Sequence, residues 1–285
     1  MARKSLPIIL ISLFLSIFFY SCVSLRQIND YSLTSLAGIE KFESIDYTFT
    51  RQCLDACLFN AMRNFEIQRE EECNCDLYKT ADSVTLLIYN AIRGYFDGLT
   101  HISNNELTAY NPGALQKALT EGNFGDIKIE KEQVDAYTNI YKILLRATAN
   151  FYRKKKIKQY VGEANQPIQI LIEKFQFILQ KNLEGELNFK MERLYVYYKE
   201  MSLNENITDY EKGKATVDYY QQLTNINLEK ELIDAFAKSL STISDGHQKL
   251  YDNRNKLTSK EIKELMKQYA SDVKDIAAEF NKLKK

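Results

Sequence analysis

The stretch CLDACLFNAMRNFEIQREEECNC, residues 53–75, holds four of the five cysteines of this 285-residue chain. Cys53 and Cys57 are four residues apart on a predicted helix, so their side chains share one face. Cys73 and Cys75 follow in a polar turn and are too close to each other to bridge without strain. An even number of cysteines in one short segment favours two disulfides, so we predict a stapled helical hairpin.

The spacing of the cysteines leaves the connectivity of these disulfides open. A helical hairpin favours the nested pairs Cys57–Cys73 and Cys53–Cys75. The alternative is a site in which the four cysteines bind zinc, because four thiolates can form the tetrahedral set that zinc prefers. The segment lacks the paired CxxC spacing of structural zinc sites, so we predict disulfides and no metal.

Apolar residues recur at helical spacing on both sides of this segment and through most of the chain. The predicted apolar face of the helix before the turn comprises Leu54, Leu58, Ala61, Met62 and Phe65. Further helices are predicted over residues 33–45, 76–99, 112–119, 130–161, 168–203, 208–223, 228–257 and 262–283. Only three prolines and ten scattered glycines occur. The chain is therefore predicted to be all-α, an elongated bundle of antiparallel helices.

Local signals predict where these helices end. Gly162 is expected to end one helix and Pro167 to begin the next. The polar run TNIN at residues 224–227 is expected to interrupt another helix. Thr208 is a predicted N-cap, and Thr258 with Glu261 has the pattern of a capping box.

The first 22 residues, MARKSLPIILISLFLSIFFYSC, have the form of an export signal. Arg3 and Lys4 precede an apolar run of about 15 residues, which is shorter than the roughly 20 that a membrane-spanning helix needs. The small residue Ser21 comes directly before Cys22. This segment resembles the signal of bacterial lipoproteins, which is cleaved just before a cysteine. An uncleaved membrane anchor and a secretory signal cut at another bond are the alternatives.

The resemblance implies a lipid anchor in the bacterial cell envelope. Residues 1–21 would be removed, and Cys22 would then carry diacylglycerol and an N-acyl chain such as palmitate. The protein would face the periplasm or the exterior. Residues 22–32 are then expected to form a lipidated tether, residues 33–102 the cysteine-containing hairpin region, and residues 103–285 the long-helix bundle.

The composition limits the classes of molecule that we expect the protein to bind. Lys and Arg number 38 and so do Asp and Glu, so the formal net charge is zero and gives no support for nucleic-acid binding. Tyrosine is abundant, with 19 residues, while tryptophan is absent. Two groups, Tyr195/Tyr197/Tyr198 and Tyr219/Tyr220, contain neighbours that point in different directions on a helix. At least one tyrosine in each group is therefore expected to be exposed.

The sequence carries no catalytic or cofactor signature. The two histidines, His101 and His247, are not accompanied by a GxSxG or HExxH motif, and His247 is predicted to face solvent. These features favour a non-catalytic binding, adaptor or structural role, with a protein or an envelope polymer as partner. The alternative is an envelope enzyme whose carboxylates and tyrosines surround a loop at residues 101–129.

A dense basic run stands near the predicted end of the 130–161 helix. It comprises Arg153, Lys154, Lys155, Lys156 and Lys158. Such a run predicts a patch for an anionic partner, for example lipid headgroups. The alternative explanation is that cations at a helix C-terminus are stabilised by the helix dipole and remain hydrated.

The lipid anchor can be tested with a single substitution. Replacing Cys22 by alanine removes the thiol that would accept the lipid, so Cys22→Ala is expected to abolish labelling by a radioactive fatty acid. The variant should also leave the membrane fraction. Lipid labelling that persists in this variant would refute the assignment of the anchor to Cys22.

Overall fold

The computed structural model describes residues 25–66, 72–104, 131–147, 153–257 and 259–284. Throughout these residues the protein is all-α, as predicted, and no strand occurs among them. The described helices are α1 (Arg26–Ile39), α2 (Phe49–Arg63), α3 (Asp76–Asn104), α4 (Lys131–Ala147), α5 (Arg153–Phe177), α6 (Glu184–Leu203), α7 (Asp209–Asp252) and α8 (Lys260–Leu283). A 3₁₀ segment, Glu40–Ser44, follows α1, and a π-helical segment, Ile178–Leu183, joins α5 to α6. Within these ranges no helix combines the length and the apolar character needed to cross a membrane.

The long helix α7 is the central helix of the bundle. Its 44 residues span about 66 Å at ~1.5 Å per residue. Helices α1, α5 and α8 pack along its C-terminal half, while α6 packs along its N-terminal half. Aromatic rings fill the space between the elements: Phe42 lies 5.0 Å from Phe175 and 5.8 Å from Phe236 between ring centroids. One cluster of buried residues includes side chains from both sides of the predicted boundary at residue 102.

Glycine allows two close approaches of α1 to its neighbours. The ring of Tyr31 is fully buried against Gly246 of α7, where a Cβ atom would lie 2.7 Å from the Tyr31 Cε2 atom. The Tyr31 hydroxyl donates a hydrogen bond of 2.6 Å to the carbonyl of Ile243. At Gly38 of α1, a Cβ atom would lie 2.9 Å from Val273 of α8. Both crossings therefore depend on the missing side chain.

The cysteine hairpin has the nested connectivity. Cys53 pairs with Cys75 and Cys57 pairs with Cys73, with Cα atoms 5.8 and 6.0 Å apart. Asp82 of α3 also fixes the start of α2, because its carboxylate accepts two hydrogen bonds of 2.9 Å from the first backbone N–H groups of that helix. All four thiols of the hairpin are consumed in disulfides, so the zinc site is not formed.

The predicted apolar face of α2 is wrong. Of its five residues only Ala61 is buried, while Met62 is 45% and Phe65 91% exposed. The disulfides explain the difference, because they hold the face of Cys53 and Cys57 against the segment that leads into α3. The leucine side of α2 consequently turns toward solvent.

The predicted tether is wrong from Arg26 onward. Helix α1 begins there, and Ile28, Tyr31 and Ser32 are all buried. The polar residues of this segment alternate with buried ones at helical spacing, so the segment belongs to the bundle. Residues 22–24 lie outside the described part of the chain.

Two predicted breaks are also wrong. Helix α5 continues through Gly162 and Pro167, with Ala164 and Ile168 fully buried. Helix α7 runs unbroken through residues 224–227, where Ile226 is 1% exposed. Burial of the apolar neighbours outweighs the local preference for a break at these positions. The predicted 130–161 helix is divided between α4 and α5, which pack against each other.

The N-caps were predicted in part. Thr208 caps α7 in a full capping box with Glu211, as expected. Ser259 caps α8 instead of Thr258, because its side chain accepts a 3.3 Å hydrogen bond from the Ile262 N–H group. Thr258 lies outside the described residues.

Two glycines of α7 should respond to alanine in opposite ways. Gly246→Ala is expected to lower the free energy of unfolding by about 1–3 kcal/mol, because the buried Tyr31 ring has no room to move. Gly213→Ala is the matched control in the same helix, since a Cβ atom there would meet nothing within 4 Å. Its better helix propensity should raise stability by about 0.5–1 kcal/mol. Urea unfolding of both variants tests this, and equal changes in both would contradict the close approach.

Candidate functional site

An open groove lies between the C-terminal half of α6 and the N-terminal half of α7. Its volume is about 190 Å³. We call it the tyrosine groove, and it is lined by Tyr195, Tyr198, Lys199, Ser202, Thr216, Tyr219 and Tyr220. Both predicted tyrosine groups meet in it, although they are about 20 positions apart in the sequence. Antiparallel packing of α6 on α7 brings them together.

The aromatic rings form a continuous row that runs from α2 across α6 to α7. The row begins at Phe59, whose ring centroid lies 5.5 Å from that of Tyr197. Successive contacts of 5.2, 5.7 and 5.3 Å then connect Tyr197, Tyr198, Tyr219 and Tyr220. The prediction of exposed tyrosines is confirmed, since Tyr195 is 50% and Tyr220 61% exposed.

The groove presents the hydroxyl groups of tyrosine, serine and threonine together with one lysine. Burial and the nearby charge of Asp218 raise the pKa of the Tyr198 hydroxyl. This hydroxyl therefore stays protonated at neutral pH and can donate a hydrogen bond. The Lys199 ammonium lies 5.4 Å from the centroid of the Tyr195 ring, within the range of a cation–π interaction. The lining residues include no carboxylate and no imidazole, and they offer contact surface and hydrogen bonds.

Ion pairs away from the groove join its two helices to each other and join α6 to α2. Lys230 of α7 lies 3.4 Å from Glu184 of α6 and donates a 2.8 Å hydrogen bond to Asn188. Lys190 of α6 forms a 2.7 Å ion pair with Asp55 of α2, and both side chains are largely buried. The stapled hairpin thus braces α6, while the groove lies about 40 Å along α7 from the Tyr31–Gly246 contact, given ~1.5 Å per residue.

A second cleft of about 430 Å³ lies between α4 and α5. Its lining includes the charged residues Lys131, Glu132 and Asp135. Lys131 follows residues 105–130 in the sequence, and those residues lie outside the described part of the chain. The predicted enzyme site around residues 101–129 therefore lies outside the described residues, apart from the end of α3. In the described residues no group of His, Cys, Asp and Glu side chains could hold a metal ion.

The prediction that His247 faces solvent is wrong. The side chain is fully buried, with Nδ1 2.9 Å from the Asn165 Oδ1 atom and Nε2 2.6 Å from the Tyr95 hydroxyl oxygen. Asn165 donates from its Nδ2 atom to Gln248, so its Oδ1 atom accepts from His247. Burial lowers the pKa of His247 to about 3. This cluster is an internal polar contact between α3, α5 and α7.

The other histidine lies at the surface end of α3. The Nε2 atom of His101 is 3.3 Å from Asp97, one helical turn earlier. The structure does not bring His101 and His247 together in one site. The predicted lipidation residue Cys22 lies outside the described residues.

The basic run lies at the opposite end of a helix from the one predicted. Helix α5 begins at Arg153, so these cations occupy the N-terminal end, and the first turn contains no acidic residue. Stabilisation by the helix dipole is therefore excluded as their explanation, because the dipole disfavours cations at an N-terminus. Of the side chains that the structure describes, Lys158 is exposed and Lys156 is half-buried.

No protein-family model, curated protein or solved structure matches this chain. The function must therefore be argued from the residues and their geometry.

The buried histidine predicts a specific dependence of stability on pH. Its pKa in the folded protein lies below the unfolded value near 6.5, so protonation of the unfolded chain dominates as the pH falls from about 6.5 to about 3. The wild type is expected to lose up to ~1.4 kcal/mol of unfolding free energy per pH unit from this residue. His247→Gln should lack this component of the slope. Urea unfolding between pH 7 and pH 4 measures the difference, and parallel slopes would contradict the buried neutral state.

Proposed function

We propose that the protein is a lipoprotein of the cell envelope with a non-catalytic binding role. In this proposal the lipid on Cys22 holds the bundle at a membrane, and the tyrosine groove binds a protein or an envelope polymer. The observation that carries the binding role is the row of tyrosines that stays open to solvent between α6 and α7, with Tyr195 and Tyr220 at least half exposed.

Three features support an extracytoplasmic, anchored protein. The two disulfides are typical of oxidising compartments. The apolar N-terminal segment resembles a lipoprotein signal that ends at Cys22. Leu25, the first described residue, is three positions after that cysteine, so the folded body would begin within about 11 Å of the lipid.

The groove suits part of a larger partner. Its volume of about 190 Å³ is below the ~300–1,000 Å³ typical of sites for drug-sized molecules. It can accept one side chain or one sugar ring of a longer chain. Tyrosine is enriched where proteins bind strongly, because its rigid ring supplies contact area and its hydroxyl supplies a hydrogen bond.

The position of the groove fits an adaptor. It lies about 50 Å along α7 from the end of that helix, where the chain approaches the anchor, given ~1.5 Å per residue. The ion pair between Lys230 of α7 and Glu184 of α6 joins the two helices that form its walls, and a preformed groove loses less entropy on binding. The lining residues include no carboxylate and no imidazole, which favours binding without chemistry.

Site-specific crosslinking in intact cells tests this role. A photo-crosslinking phenylalanine analogue at position 220 is expected to yield a discrete adduct, because Tyr220 is exposed at the groove. The matched control places the same analogue at Phe177, which is 51% exposed on α5 and does not line the groove. Combining the analogue at position 220 with Tyr195→Ala should weaken the adduct.

Two outcomes would contradict the proposal. Adducts of the same size and yield from both positions would show contact without specificity. The absence of any adduct from position 220, in cells where the protein is correctly fractionated with the membrane, would remove the groove as a binding site.

A further inference from the structure

The termini of five helices lie together at one end of the bundle. The Asn29 side chain at the start of α1 donates a 3.1 Å hydrogen bond to the Thr100 carbonyl near the end of α3. Near the start of α5, a Cβ atom on Gly162 would lie 3.6 Å from Arg254, which follows the end of α7. Helix α8 runs parallel to α1, because Gly38 meets Val273 and Lys41 bonds Asn281. We call this the anchor end: the starts of α1, α5 and α8 and the ends of α3 and α7.

The anchor end is strongly basic although the chain is neutral. Residues 153–158 contain five Lys and Arg and no carboxylate, and residues 249–263 contain five Lys and Arg with only Asp252 and Glu261. The rest of the chain after residue 21 has 26 Lys and Arg against 36 Asp and Glu. The start of α1 and the end of α3 add Arg26, Asp30 and Asp97, so an excess of positive charge remains at the end where the chain approaches Cys22.

These cations reach solvent from several helices. Lys158 of α5, Lys256 after α7 and Lys260 of α8 are all exposed. The run in α5 opposes the helix dipole, so its own helix does not stabilise it. A negative surface facing this end would offset that unfavourable interaction.

The short stretch of chain between Cys22 and Leu25 would keep the membrane close to the anchor end. Three positions separate Cys22 from Leu25, which is at most about 11 Å of extended chain. That distance is close to the Debye length of ~8–10 Å at physiological ionic strength, within which a charged membrane still attracts a basic surface. A lipid at Cys22 would thus hold the anchor end inside the field of the membrane.

We propose that the anchor end binds the anionic headgroups of the membrane that carries the lipid anchor. This inference rests on the proposed lipidation of Cys22, and it adds a second, electrostatic contact. Lipid and basic surface together fix the orientation of the bundle, so that α7 points away from the membrane and presents the tyrosine groove. A single flexible lipid attachment leaves that orientation free.

Lysine acetylation of the membrane-purified protein tests the contact. The protein is reconstituted in nanodiscs of phosphatidylcholine alone or of an equal mixture with phosphatidylglycerol, acetylated briefly, and analysed by mass spectrometry. A surface potential of about −30 to −50 mV raises the local proton concentration, so the reactive unprotonated amines should fall about threefold to sevenfold. The decrease is expected at Lys158, Lys256 and Lys260 in the anionic discs, and roughly 0.5 M salt should reverse it.

Exposed lysines elsewhere serve as internal controls. Lys181, Lys214 and Lys282 lie away from the anchor end and should react equally in both kinds of nanodisc. Equal labelling of the two sets in both lipids would overturn the proposal, as would a decrease at the control lysines alone. Retention on neutral nanodiscs reports the lipid anchor by itself. The experiment can therefore refute the lipid anchor and the basic contact surface separately.

Discussion

The burial of Tyr31 against Gly246 is the contact on which the rest of the structure depends. It joins positions more than 200 residues apart, and the tyrosine hydroxyl reaches a backbone carbonyl of α7 across that separation. Once α1 lies in this place, α3 and α8 both pack against it and the core is complete. Fixing α1 in this place also puts its start beside the end of α7 and the start of α8.

The class of the fold and its staple were predictable because they depend on local chemistry. Leu232, Phe236 and Leu240 repeat at helical spacing and are buried as expected. The nested disulfides follow from cysteines that share a helix face on one side and a turn on the other. Thr208 and Glu211 cap α7 because a capping box needs only four neighbouring residues.

The features that sequence patterns missed are decided by distant partners. Pro167 signals a helix boundary locally, yet Leu171 and Phe175 beyond it are fully buried, and this packing keeps α5 continuous. His247 resembles a surface residue until Asn165 and Tyr95 supply both of its hydrogen bonds. In the candidate site, the exposure of tyrosines was predictable, whereas the meeting of the two groups depended on how α6 packs on α7.

The contact between α1 and α7 also determines when α1 can be buried while the chain is being synthesised. The cysteine hairpin closes over 22 positions, so it can form soon after its residues have been synthesised. Helix α1 is made earlier than that hairpin, but its partners in α7 and α8 lie at the far end of the chain. Helix α3 is made soon enough to cover one side of α1, but the side that contacts α7 and α8 has nothing to pack against until they emerge and needs protection from premature contacts. The first described helix is consequently among the last to be fully buried.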